Sequence, residues 1–252
     1  MIRARIILIA MSVAALTAGA AYAITFMPGS KPDPFAMGKT CDAPEVGSMG
    51  SYVYEWPSKY DLIFSPVDYP MFLWRCETSG YISFPREFDK FAPGEKERIA
   101  AYLADAKFGA KVKPESGFSD ELLQHLEKIY ALREPIVERQ GFLLRYFAWQ
   151  YRAKPIADEY RRKAVVHYKK LLDGGTLKEN DLLEALYILG FYSYKLGDRE
   201  AAKAYFDRIK TVETIDPETK KPTRGAPFLE TLASEVLAGK ADDKVRFANE
   251  QN

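Results

Sequence analysis

Residues 185–210 read Ala-Leu-Tyr-Ile-Leu-Gly-Phe-Tyr-Ser-Tyr-Lys-Leu-Gly-Asp-Arg-Glu-Ala-Ala-Lys-Ala-Tyr-Phe-Asp-Arg-Ile-Lys. The first ten residues are apolar or aromatic on almost every side, which predicts a helix enclosed by others. Gly197-Asp198 then supplies a turn, and Ala202, Tyr205 and Phe206 fall on one face of a second helix. Gly190 and Ala202 are small, so two antiparallel helices can approach closely, and Tyr194, Tyr205 and Phe206 fill the remaining seam.

Outward from this hairpin the chain continues to read as helices. Gly94 opens one that runs to about Lys107, and a polar loop spans 109–117. Ser119 is placed to cap a helix with Leu122, Leu123, Leu126, Ile129 and Tyr130 at helical spacing, ending before Pro135. Ile136–Tyr151 and Ala157–Leu172 follow, the second stopped by Asp173-Gly174-Gly175. Thr176-Leu177-Lys178-Glu179 has the spacing of a capping box that starts the next helix. Residues 211–227 read as a polar loop broken by Pro217 and Pro222. Pro227–Leu237 forms a closing amphipathic helix, and 241–252 a flexible tail.

The places of Leu189-Gly190, Tyr194, Gly197-Asp198, Ala202 and Tyr205-Phe206 resemble a tetratricopeptide repeat. Ala164 and Tyr168 resemble a degenerate earlier copy with an insertion. The resemblance implies a mainly α fold of antiparallel helical hairpins over 93–240, and a protein that holds another protein or peptide rather than one with a stated reaction.

At the other end, Arg3 and Arg5 precede an apolar run from Ile6 to Ala20, followed by the small-x-small sequence Ala21-Tyr22-Ala23. This is the pattern of a signal peptide covering 1–23. Read through to Met27, the same run has the length of an uncleaved membrane anchor. Either outcome places the rest of the chain outside the cytoplasm, periplasmic or secreted. Residues 24–39, with Pro28-Gly29-Ser30 and Pro32-Asp33-Pro34, read as a linker. Residues 40–92 read as a small irregular β-containing domain with short runs at Ser51–Tyr54, Asp61–Phe64, Met71–Arg75 and Tyr81–Phe84. Pro57, Pro66, Pro70 and Pro85 keep those runs short. Trp56, Phe64, Phe72, Trp74 and Tyr81 form either a ligand-stacking surface or core packing, and their density favours core.

A second resemblance lies here. Thr40-Cys41-Asp42-Ala43-Pro44 and Leu73-Trp74-Arg75-Cys76-Glu77-Thr78-Ser79-Gly80-Tyr81, with Phe84 and Phe88 beyond, are similar to the N-terminal part of an uncharacterised bacterial family. That family joins two Cys-x-x-Cys pairs to a tetratricopeptide-like helical part and has no known reaction. Cys41 and Cys76 match the first cysteine of each pair, while Pro44 and Ser79 stand where the second would be. Half of a tetrahedral ligand set is thereby replaced, and no metal is expected. The resemblance brings Cys41 and Cys76 to one site, where an oxidising compartment would join them as a disulfide.

Composition narrows the remaining classes. Lysine plus arginine number 36 and aspartate plus glutamate 35, so the chain has no global field for nucleic acid. Two cysteines and two histidines leave little material for metal or nucleophilic chemistry. There is no nucleophile elbow, phosphate loop or zinc-helix motif. His125 reads as flanking the core. His167 lies among Arg161, Arg162, Lys163, Lys169 and Lys170, a basic face that either meets an acidic segment or is solvated and paired with Asp158 and Glu159. Asp105, Asp120 and Glu121 form no acid/base pair, so no catalytic residue and no cofactor is assigned. The expectation is an exported scaffold whose partner lies against Tyr187, Phe191 and Tyr194 on one helix and Arg145, Trp149 and Arg152 on another. The alternatives are an accessory subunit with a ligand-recognising N-terminal domain, or a hydrolase with an unfamiliar site.

Overall fold

The computed structural model describes residues 25–48, 59–61, 73–106, 119–215 and 222–242. Expectations for 1–24, Ser51–Tyr54, Trp56, Phe64, Phe72, the 109–117 loop and the tail beyond 242 lie outside them. The helices are α1 (Glu95–Ala106), α2 (Asp120–Ala131), α3 (Val137–Gln150), α4 (Ile156–Asp173), α5 (Glu179–Lys195), α6 (Arg199–Ile209) and α7 (Pro227–Leu237). The fold is mainly α, and each helix lies where the spacing of apolar residues places it. Among the described residues, no helix is long and apolar enough to cross a membrane.

Helix α5 is the centre of the packing. Every side chain from Ala185 to Tyr194 is buried, because α4, α6, α7 and the strand after α6 all pack against it. The short connections α3–α4, α4–α5 and α5–α6 fold each helix back along its predecessor. The α5–α6 seam is as close as Gly190 permits: a β-carbon there would meet Phe206 Cε1 at 2.5 Å. Asp198 caps α6 by accepting from Ala201 N at 2.9 Å, and Ser119 caps α2 by accepting from Leu122 N at 3.2 Å. The capping box at Thr176 does not form. Helix α5 begins three residues later, after Lys178, without a side-chain cap, and Glu179 has φ +40°.

Two further readings are corrected. The loop after α6 contains an antiparallel hairpin, β7 (Glu213–Ile215) with β8 (Pro222–Arg224), Thr214 facing Thr223. The stretch read as a linker is also paired. β1 (Thr25–Met27) runs antiparallel to β4 (Glu45–Ser48). β2 (Ser30–Pro32) is the edge of a four-stranded sheet in the order β2, β3 (Thr40–Asp42), β5 (Trp74–Arg75), β6 (Ile82–Ser83). The turn formers that suggested a linker close the β2–β3 hairpin instead. Asp33 Oδ1 accepts from Phe35 N at 2.8 Å, and Asp33 N donates to Lys39 O at 2.9 Å. Gly29 is required where the chain passes Ala43, since a β-carbon would fall 2.3 Å from Ala43 O.

The sheet and the helices share one core rather than standing as two domains at residue 92. Phe84, at the end of β6, is fully buried and meets Phe142 and Tyr146 of α3 at ring separations of 5.0 Å. Tyr81 stacks with Phe35 and Phe88 at 4.8 and 5.3 Å, so the described aromatics of this region are packing residues. His125 of α2 is buried and reaches across to the sheet. Its Nε2 donates to Gly80 O at 2.7 Å, and its Nδ1 therefore accepts from the Tyr102 hydroxyl at 3.1 Å. Arg133 ties the same layers: it pairs with Glu95 at 3.5 Å and donates to Ser83 Oγ at 3.3 Å, to Glu87 O at 2.8 Å and to Lys90 O.

Candidate functional site

The residues expected to line an open groove are largely inside. Tyr187, Phe191, Tyr194, Arg145 and Trp149 are buried, and Arg152 is half-buried over the Trp149 ring at 4.4 Å. Tyr187 and Phe191 stack on each other at 6.3 Å, and Tyr187 lies 5.8 Å from Phe206. The physical reason is that α5 has no open side between Ala185 and Tyr194, so its aromatic rings pack between helices. Tyr194 is held by its hydroxyl, which donates to Asp242 at 2.7 Å.

Arg145 nonetheless marks a hollow. Its Nη1 donates to Glu184 Oε1 at 2.6 Å, its Nη2 to Asp61 O at 3.4 Å, and the Tyr168 hydroxyl donates to the same Glu184 oxygen at 3.2 Å. Burial alone would lower the Arg145 pKa, but Tyr168 and Glu184 outweigh it and hold the guanidinium charged. This group forms the floor of a cavity of about 470 Å³ between α3, α4 and α5, walled by Val137, Phe142, His167, Leu177 and Asp181. A second hollow of about 310 Å³, floored by Leu143, Leu144 and Phe147, lies between α2, α3 and α4.

His167 lines both hollows. It leans over Gly141, where a β-carbon would come within 3.1 Å of its Nε2. That nitrogen is buried and has no hydrogen-bond partner among the described residues. Burial, with a smaller contribution from Lys170, lowers the imidazole below its ordinary pKa, so the ring is neutral near pH 7. The basic face around it is partly self-neutralised, as Arg161 turns inward to Asp158 at 2.6 Å and Lys163 pairs with Glu159 at 2.8 Å. The sequence carries one signal for this place that the aromatic reading passed over: Glu184 is the single charged residue between Leu182 and Tyr194. A lone carboxylate in such a run must meet a buried donor.

Among the described residues, potential ligating side chains collect elsewhere, at the N-terminal sheet. Cys41 and Cys76 are joined as a disulfide closing 35 residues, and Asp33 stands beside them.

Residues 46–224 match the family described as an uncharacterized protein conserved in bacteria, DUF2225. No curated protein and no solved structure matches the chain significantly.

Proposed function

For a chain that belongs to the bacterial DUF2225 family, whose description names no activity, we propose the function of an exported helical scaffold that holds a segment of another protein. The observation that carries this reading is the pair of adjoining hollows across α2–α5, which meet at His167 and combine apolar walls with the Arg145–Glu184–Tyr168 floor. Concave surfaces with a few convergent polar groups are the usual form of a binding site. The consecutive helical pairs and the Gly190–Phe206 seam support a tetratricopeptide-like architecture, in which such a surface faces the ligand. Arg3, Arg5, the apolar run and Ala21-Tyr22-Ala23 support export, and a disulfide is in keeping with an oxidising compartment.

In this reading the partner lies over α3 and α4, not against the rings of α5. A photo-crosslinking residue at Val137, which lines the larger hollow and is 46% exposed, should capture one discrete protein in intact cells. The same probe at exposed Glu97 on α1 should not. A peptide from the captured segment should then bind the purified chain, and Val137→Glu should weaken it by about 1–2 kcal/mol. Equal capture at both positions, or unchanged affinity of the variant, would refute the assignment.

A further inference from the structure

The β2–β3 hairpin and the loop after β5 bring three metal-ligating side chains to one buried place. A carboxylate oxygen of Asp33 and the sulfurs of Cys41 and Cys76 lie within 4.8 Å of one another. One oxygen of Asp33 is explained by the turn, since Oδ1 accepts from Phe35 N. The other is not. Oδ2 is buried without a hydrogen-bond partner among the described residues, on a residue only 7% exposed. A buried carboxylate oxygen is ordinarily matched by a donor or a cation.

We propose that this cluster is a metal site held closed by the disulfide: once the Cys41–Cys76 bond is reduced, the two thiolates and Asp33 bind a zinc-class divalent cation. The chemistry balances in two steps. An external dithiol gives two electrons and two protons to the disulfide, is itself oxidised to a disulfide, and leaves two thiols on the chain. The cation then displaces one proton from each thiol and takes the Asp33 carboxylate as its third ligand, with water completing the tetrahedron. Zinc holds thiolates at about 2.3 Å and carboxylates at about 2.0 Å, which sets its ligand atoms roughly 3.5–3.8 Å apart. The two sulfurs, bonded to each other in the oxidised chain, therefore move apart once reduced, while the Asp33 oxygen draws in by up to about 1 Å, a side-chain adjustment rather than a rearrangement of the sheet. Oxidation and metal binding compete for the same two sulfurs, so the redox state of the surroundings selects which crosslink braces the sheet.

Cobalt alone serves as the probe, because thiolate coordination gives it a visible signature. The full chain is reduced with a phosphine in urea, so that the buried bond is reached, and refolded with one equivalent of Co²⁺. The expected result is native circular dichroism together with a sulfur-to-cobalt charge-transfer band, saturating at one ion per chain and abolished by zinc. The oxidised chain should show no band. Asp33→Asn should keep the thiolates yet bind at least about tenfold more weakly, and Cys76→Ser should lose most of the charge-transfer intensity. Absence of the band in the refolded chain overturns the proposal, as does an Asp33→Asn affinity equal to that of the parent. A band that persists in urea also overturns it, since the metal would then be held by unfolded chain. So does failure of the metal-loaded reduced chain to regain its native dichroism.

Discussion

Gly190 stands where an ordinary helix would gain from alanine. In an open helix, Gly→Ala adds about 1 kcal/mol of stability, but here the new methyl would lie 2.5 Å from the Phe206 ring. That ring is itself buried and lies against Tyr187, so overpacking prevails, and Gly190→Ala should destabilise the protein by about 1–3 kcal/mol in urea unfolding. Phe206→Leu in the same background should recover part of the loss, which separates a steric origin from a general weakening of α5. A Gly190→Ala variant as stable as the parent would contradict the close seam. His167 gives a second prediction. Its folded-state pKa is depressed below 6.5 by burial and by Lys170, so the unfolded chain binds the proton more readily. The sign follows: the contribution is fully present above pH 6.5 and is lost as pH falls through the folded-state value. Urea midpoints measured from pH 7.5 downward should decline in this range, ahead of the carboxylate titrations, and His167→Gln should flatten that part of the profile.

Arg133 shows how single side chains join elements. Its side chain is fully buried, it pairs with the buried Glu95, and its remaining donors serve β6 and the turn before α1. Burial would raise the Glu95 pKa, but the amides of Glu134 and Ala92 and the charge of Arg133 outweigh it and hold the carboxyl low. Arg133→Met leaves that carboxylate buried without its cation and should cost about 3–5 kcal/mol. Arg133→Met with Glu95→Gln should recover a substantial share, as read from urea midpoints; no recovery would mean that Arg133 acts by packing alone. These joints also explain how much of the architecture was legible beforehand. Helices α1 to α7 were, because apolar spacing along a helix is local, and so were the Ser119 and Asp198 ends of α2 and α6. Two of the strands were, since β5 and β6 fall within the runs read at Met71–Arg75 and Tyr81–Phe84; the others were not, because each has three or four residues, too few for an alternating pattern, and their pairing is decided by distant partners such as Gly29 against Ala43. The groove assignment failed for a related reason. Tyr187 and Phe191 have the composition of a binding surface, but whether a helix keeps an open side depends on how many neighbours it acquires. Asp33 was missed because turn residues read alike in a linker and in a tight hairpin.

At the scale of the whole molecule, the N-terminal sheet and the helices depend on each other. The Tyr60 hydroxyl donates to Glu235 of α7 at 2.9 Å, Lys59 pairs with the same carboxylate at 2.7 Å, and Arg145 of α3 donates to Asp61 O. Phe84 carries the core from β6 into α3, and Phe35, from the β2–β3 turn, covers Tyr81 and Phe91 at 4.8 and 5.6 Å. This bears on where an exported form can begin. A helical anchor continued to Met27 would need Thr25–Met27 in a helix, whereas those residues form β1 against β4. If the proposed signal is cleaved after Ala23, β1 stays intact, and a chain starting at Ile24 should unfold at the same urea concentration as the full chain. A chain starting at Thr40 lacks β1, β2, Asp33 and Phe35 while keeping Cys41 and Cys76. Uncovering one large buried aromatic costs about 1.5–3 kcal/mol, so this shorter form should be less stable by at least about 2 kcal/mol. Because the sheet shares its core with α2 and α3, the loss should appear as one cooperative transition at lower urea, followed equally by helix dichroism and tyrosine fluorescence. Two separate transitions, with the helical one unmoved, would show instead that residues 25–39 brace an independent unit and that the core is divided near residue 92.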